Sequence, residues 1–172
     1  SWRSWPGPDR GRWNKLMHRV AVLGTGSIGT RHLQVLRALD GVQPVALPVR
    51  PGRADELRAA GYEVLADVEA AAAAGIRLLV VATDTARHAA DAVRALRLGF
   101  DLLVEKPLTA DAASALPLQA LAKAEGRRVF VGCVLRYATS LRAFRAALPE
   151  IGAVHHVRIA CQSYLPDWRP DR

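Results

Sequence analysis

With 172 residues and 51% hydrophobic composition, the chain can bury a sizeable core, which excludes global disorder. Its longest apolar stretch, Ala70 to Ala82, is interrupted by Arg77 and falls short of the ~18 residues of a membrane span. The net charge of +8 is dispersed rather than clustered, so it favours a solvated surface and an anionic cofactor over nucleic acid.

Residues 1–16 are rich in Trp, Arg, Pro and Gly and lack the apolar core of a signal peptide, so they read as a disordered leader. Met17, the only Met, directly precedes the first apolar run and is expected to be the natural start. From there strands are predicted over Arg19–Leu23, Pro44–Val49, Glu63–Leu65, Leu78–Ala82, Asp101–Val104 and Arg128–Gly132. Helices are predicted between them, near Ile28–Leu39, Ala54–Ala60, Asp67–Ala73, Ala86–Leu98 and Ala112–Glu125. Asp84 and Thr85 can cap the fourth helix, and Pro117 is expected to kink the fifth or delay its start. Regular alternation of strand and helix predicts an α/β fold, a Rossmann-type doubly wound parallel sheet, over residues 17–136.

After Gly132 the pattern changes. Ser140–Leu148 reads as a short helix, Ala153–Ala160 as a strand, and Tyr164–Pro170 as a turn-rich tail. One strand cannot form a sheet, so residues 137–172 are expected to be the truncated start of a second α/β domain. Cys133 and Cys161 show neither metal-ligand spacing nor a disulfide framework, which suits a reducing, cytoplasmic setting and no metal site.

The first strand runs into Gly24-Thr25-Gly26-Ser27-Ile28-Gly29, a glycine turn that opens a helix. Strand, G-x-G-x-x-G and helix in this order suit the pyrophosphate of a dinucleotide. Gly24 makes the tight turn, Gly26 lets the backbone approach the phosphates, and Gly29 lets the helix pack on the strand. Free N–H groups at the helix start, from Ser27 and Ile28 onward, then face the anion. The alternative is a glycine turn that serves geometry alone.

A dinucleotide fold usually places an acid ~20 residues beyond the glycines, on the adenosine ribose hydroxyls. Here that position is Val49, followed by Arg50 and Arg53. Guanidinium groups can grip a 2′-phosphate bidentately, which favours NADP over NAD; an ordinary solvated loop is the other reading. Thr83, Asp84 and His88 follow the fourth strand, at the sheet edge where ligands bind. His88 alone is more often a surface or capping residue than a site residue. Glu105 and Lys106 follow the fifth strand; Lys106 can donate to a substrate oxygen and the nicotinamide ribose while Glu105 orients the loop. A plain surface Glu–Lys pair fits the same spacing.

The glycine turn, the Ala82-Thr83…His88 turn and Glu105-Lys106-Pro107 occur in one order with matching spacing. With Gly132-Cys133-Val134-Leu135-Arg136-Tyr137 and Ile151-Gly152, the chain from about Met17 onward resembles the glucose–fructose oxidoreductase / inositol dehydrogenase (Gfo/Idh/MocA) family. The resemblance implies an NAD(P)-dependent dehydrogenase or reductase acting on a sugar, cyclitol or related polyol. It implies that Lys106 contacts the nicotinamide ribose and the reacting hydroxyl. Arg136 and Tyr137 match the stretch that crosses toward the substrate, although an interdomain ion pair suits Arg136 as well.

The chain departs from the family where Asp84 replaces a common Pro and where the ribose-binding acid is missing. Family members continue into a mixed α/β domain that supplies the substrate pocket, the homo-oligomer face and an Asp/His acid–base motif. That places the acid–base residue beyond Arg172, and the 172 residues are expected to bind cofactor without useful turnover. His155 and His156 read as strand residues, not as that motif. Two other readings stay open: a non-catalytic NAD(P)-binding sensor or scaffold, and a methyltransferase holding S-adenosylmethionine on the glycine turn, against which Glu105-Lys106-Pro107 and a sixth parallel strand speak.

Overall fold

The computed structural model describes residues 17–160. The leader over residues 1–16, Cys161 and the Tyr164–Pro170 tail therefore lie outside the described residues. Two compact units meet in the chain between Cys133 and Val134, three residues before the boundary expected from the sequence.

The first unit alternates strand and helix. β1 (His18–Leu23) leads into α1 (Ser27–Arg37), then β2 (Val42–Leu47) and α2 (Arg53–Ala59). β3 (Glu63–Val64), α3 (Val68–Ala73), β4 (Leu78–Val81) and α4 (Thr85–Arg97) follow. β5 (Asp101–Val104), α5 (Ala112–Ala124) and β6 (Val129–Val131) complete it. The sheet has six strands in the order β3-β2-β1-β4-β5-β6, and every pairing is parallel.

Each central strand is apolar on both sides because helices cover both faces. On one face Ala21, Leu23, Val45, Leu79, Val81 and Leu102 pack under α3, α4 and α5 around the fully buried Phe100. On the other, Val20, Val22, Ala46 and Val80 pack under Leu33 of α1 and Leu57 of α2. Strand order reverses between β1 and β4, so the carboxyl ends of Leu23 and Val81, which are register partners, flank the crevice where such sheets bind ligands.

The ends of some elements differ from the sequence expectation. β2 runs Val42–Leu47 rather than Pro44–Val49. Its start follows pairing with β1 from His18↔Val42, and Pro48 has no N–H with which to extend the ladder, so Val49 leaves the sheet. α5 starts at Ala112 despite Pro117, because the Asp111 side chain accepts a hydrogen bond from Ser114 N–H at 2.8 Å and caps the first turn. Pro117 sits in its second turn, so the helix start is not delayed.

The second unit holds a 3-10 turn (Val134–Tyr137), helix α6 (Thr139–Ala147) and a 3-10 turn (Leu148–Ile151), and none of these residues is buried. The strand expected over Ala153–Ala160 does not form. A strand needs a neighbouring ladder for its N–H and C=O groups, and residues 153–160 find none among the described residues. Among the described residues no helix is long and apolar enough to cross a membrane.

Candidate functional site

Three loops meet at the carboxyl edge of the sheet: the glycine turn after β1, Ala82–Asp84 after β4, and Glu105–Pro107 after β5. Backbone bonds between neighbouring strands hold them in register. Gly24 N–H donates to Leu47 O at 3.0 Å, Ala82 N–H to Leu23 O at 2.8 Å, and Glu105 N–H to Val81 O at 2.9 Å.

The glycines do three different jobs. Gly24 has φ +86°, and a Cβ there would stand 2.7 Å from Ala82 O, so the first two loops touch backbone to backbone. A Cβ on Gly29 would stand 1.9 Å from Gly24 O, which is how α1 folds back onto its own loop. Around Gly26 nothing lies within 4 Å of where a Cβ would be: its outer side is open. Gly26 is also the N-cap of α1, with no side-chain cap and no acid in the first turn. The N–H groups of that turn, including those of the exposed Ser27 and Ile28, are the unpaired positive end of an 11-residue helix. A pyrophosphate fits this cradle, because the missing side chain and the helix dipole both favour an anion there.

Gly24, Thr25, Gly26, Val49, Arg50, Ala82, Thr83 and Asp84 line one shallow cleft. Arg50 is exposed and reaches its rim, whereas Arg53 is half-buried on the first turn of α2. Arg53 donates to Thr30 Oγ1 at 3.2 Å and pairs with Glu56. The two arginines taken together from the sequence thus face different partners. No carboxylate stands at the end of β2.

Asp84 is exposed at the N-cap of α4 but makes no side-chain cap bond, so the capping expected of it is absent. Thr83 Oγ1 donates to Asp91 Oδ2 at 2.7 Å, and Asp91 also pairs with Arg87 at 3.3 Å. His88 is neither a surface nor a capping residue: only 1% of it is exposed. Its Nδ1 lies 2.8 Å from Pro107 O and its Nε2 3.0 Å from Thr83 O. It joins the second loop to the third.

Glu105 is buried, while Lys106 beside it is exposed and forms no salt bridge among the described residues. The Lys106–Pro107 peptide is cis. Glu105 Oε1 meets His32 Nε2 at 2.7 Å, and its Oε2 accepts from Lys106 N–H at 3.3 Å. Gly132 lies against this carboxylate, where a Cβ would stand 3.1 Å from Glu105 Oε1. The plain surface Glu–Lys pair is thereby replaced by a buried acid and an outward lysine. Arg136 and Tyr137 are exposed in the first turn of the second unit.

His32 and Asp91 are the residues that sequence reasoning passed over. Asp91 carried a signal, being an acid on the Ala92–Ala95–Leu96 face of α4 that the core covers. His32 neighbours the buried Leu33 but showed no sign of its partner, which is 73 residues away.

Residues 18–133 match the model of the Gfo/Idh/MocA group, an oxidoreductase family with an NAD-binding Rossmann fold. An inositol 2-dehydrogenase of Acidiphilium cryptum is 35% identical over 143 residues, covering 78% of this chain and 42% of that protein. A 3-ketoreductase from Actinomadura kijaniata, solved in complex with NADP and TDP-benzene, superposes with TM-score 0.70 at 28% identity. That match covers 77% of this chain and 42% of the other. A biliverdin reductase from Synechocystis, solved with biliverdin and NADP+, gives TM-score 0.69 at 27% identity over 79% of this chain and 44% of that one. The chain thus spans about two-fifths of the length of the relatives it matches.

Proposed function

The chain belongs to the Gfo/Idh/MocA oxidoreductase family through its NAD-binding domain, and from that premise we propose that it binds NADP in preference to NAD. We place it as the cofactor-holding part of an enzyme that oxidises a secondary alcohol, or reduces the ketone, of a sugar, cyclitol or related polyol. The observation that carries this reading is the open Gly26 cradle beside the exposed Lys106 edge, with Arg50 at the rim where an acid would select NAD. The inositol 2-dehydrogenase and 3-ketoreductase relatives support the substrate class.

Bound nicotinamide supplies hydride transfer. The chain's own residues bind, orient and polarise. The α1 N-terminus holds the pyrophosphate, and Gly24 and Gly29 keep the backbone close enough to do so. Arg50 meets the 2′-phosphate as a charge-assisted donor. Lys106, a flexible ammonium with three donors, would donate to the nicotinamide ribose and to the substrate oxygen, and would favour negative charge on that oxygen.

Titration of the purified chain with NADPH and NADH, read by nicotinamide fluorescence, tests the proposal. NADPH is expected to bind at least tenfold more tightly, the effect of about one charge-assisted contact. Binding of neither nucleotide sinks the cofactor reading, and tighter NADH binding sinks the role of Arg50.

A further inference from the structure

Lys106 stands on a loop that is pinned from both flanks by histidines. His32, in the second turn of α1, reaches the buried Glu105 at 2.7 Å. His88, in α4, reaches Pro107 O at 2.8 Å and Thr83 O at 3.0 Å. Residues 105 and 107 are therefore both held from their own sides, and Lys106 between them is exposed. We propose that His32 and His88 are positioning residues, which lock the Glu105–Pro107 loop to the glycine turn and to the β4 loop and thereby set affinity for the nicotinamide half of the cofactor.

This positioning role rests on the cofactor reading above and adds residues to it. A long lysine on a loose loop loses its orientation to backbone entropy. The buried Glu105 carboxylate has His32 as its side-chain partner and returns its second oxygen to the Lys106 N–H. Withdrawing His32 leaves a buried carboxylate without that partner, and the loop moves to hydrate it. Because α1 begins at the phosphate cradle, His32 links the pyrophosphate end of the site to its nicotinamide end through one rigid element. His88 is wedged between Thr83 O and Pro107 O, the carbonyl acceptors of the other two loops. Neither histidine needs to touch the cofactor.

Two measurements on the intact chain test the proposal. The first compares affinity for NADPH with affinity for ADP, which keeps the adenosine and pyrophosphate but lacks the nicotinamide ribose. His32→Leu and His88→Leu are expected to weaken NADPH about tenfold, the worth of one charge-assisted or buried hydrogen bond, while ADP changes less than about twofold. His32→Gln, whose amide restores a donor near Nε2, is expected to recover most of the loss. Equal weakening of both ligands, or no change in either, overturns the positioning role. The second measurement needs no ligand: hydrogen exchange of the Lys106 amide is expected to accelerate about tenfold in His32→Leu while the β1 amides keep their wild-type rates. Unchanged Lys106 exchange overturns the clamp even where the leucine variants bind poorly for other reasons. A wild-type chain that binds no nucleotide but still shows the exchange effect keeps the clamp and overturns the cofactor reading alone.

Discussion

His32 Nε2 lies 2.7 Å from Glu105 Oε1, joining the second turn of the glycine-turn helix to the loop after β5. The carboxylate fits there because Gly132 beside it offers no side chain. Gly132→Ala places a Cβ 3.1 Å from Glu105 Oε1, a spacing that makes the carboxylate yield by a few tenths of an ångström. A stability loss of about 1 kcal/mol is expected in urea unfolding, the ordinary cost of mild overpacking. A variant as stable as the parent shows that the carboxylate has room to move.

Gly26 and Gly29 separate binding from folding. Gly29→Ala drives a Cβ to 1.9 Å from Gly24 O, a clash with backbone that cannot rotate away, so a loss of about 3 kcal/mol or more or outright misfolding is expected. Gly26→Ala meets nothing within 4 Å and is expected to change stability by less than about 1 kcal/mol. It is nonetheless expected to cut NADPH affinity by tenfold or more, about 1.4 kcal/mol, because the methyl group occupies the phosphate approach. Thermal melts beside fluorescence titrations check both; a stable, tightly binding Gly26→Ala removes the phosphate from this position.

The two arginines are expected to act unequally. Arg50→Ala should weaken NADPH about tenfold and leave NADH unchanged, since its guanidinium lines the cleft and the 2′-phosphate is the group that distinguishes the nucleotides. Arg53→Ala should have the smaller effect on selectivity, because Thr30 and Glu56 already engage that side chain. Equal losses for both nucleotides in Arg50→Ala place its effect on the shared pyrophosphate instead.

Acid sensitivity is expected at the start of β5. Burial works to raise the Asp101 carboxyl, but the Arg128 side chain and backbone N–H, the latter at 2.8 Å, outweigh it and hold the group below the usual carboxylate range. A carboxyl depressed in the folded state stabilises fully above its unfolded value near 4 and loses that contribution as pH falls through the folded value. Arg128 is largely exposed, so solvent screening limits the contribution to about 1 kcal/mol. Urea unfolding at pH 7 and pH 3 should show Asp101→Asn costing about that much at neutral pH and less in acid. An unchanged difference at both pH values removes the ion pair from the acid response.

Much of this protein was legible in the residues alone, because short-range rules dictate it. Apolar period, helix caps and G-x-G-x-x-G determine strand, turn and helix over Gly24–Gly29 whatever the rest of the chain does, and the same rules placed Lys106 at a strand end. Residues 153–160 show where such rules stop: the apolar pattern there is a strand's, but a strand exists only with a neighbour to share its hydrogen bonds. His32 and Glu105, 73 residues apart, carry no mark of each other in sequence. Nor does the burial of His88, or the parting of Arg50 from Arg53, since each depends on which loops the parallel sheet brings to one edge. Local chemistry thus determined which groups are available. Only the strand order β2-β1-β4-β5 decided which of them meet, because side chains distant in sequence interact only where packing sets them within hydrogen-bond reach.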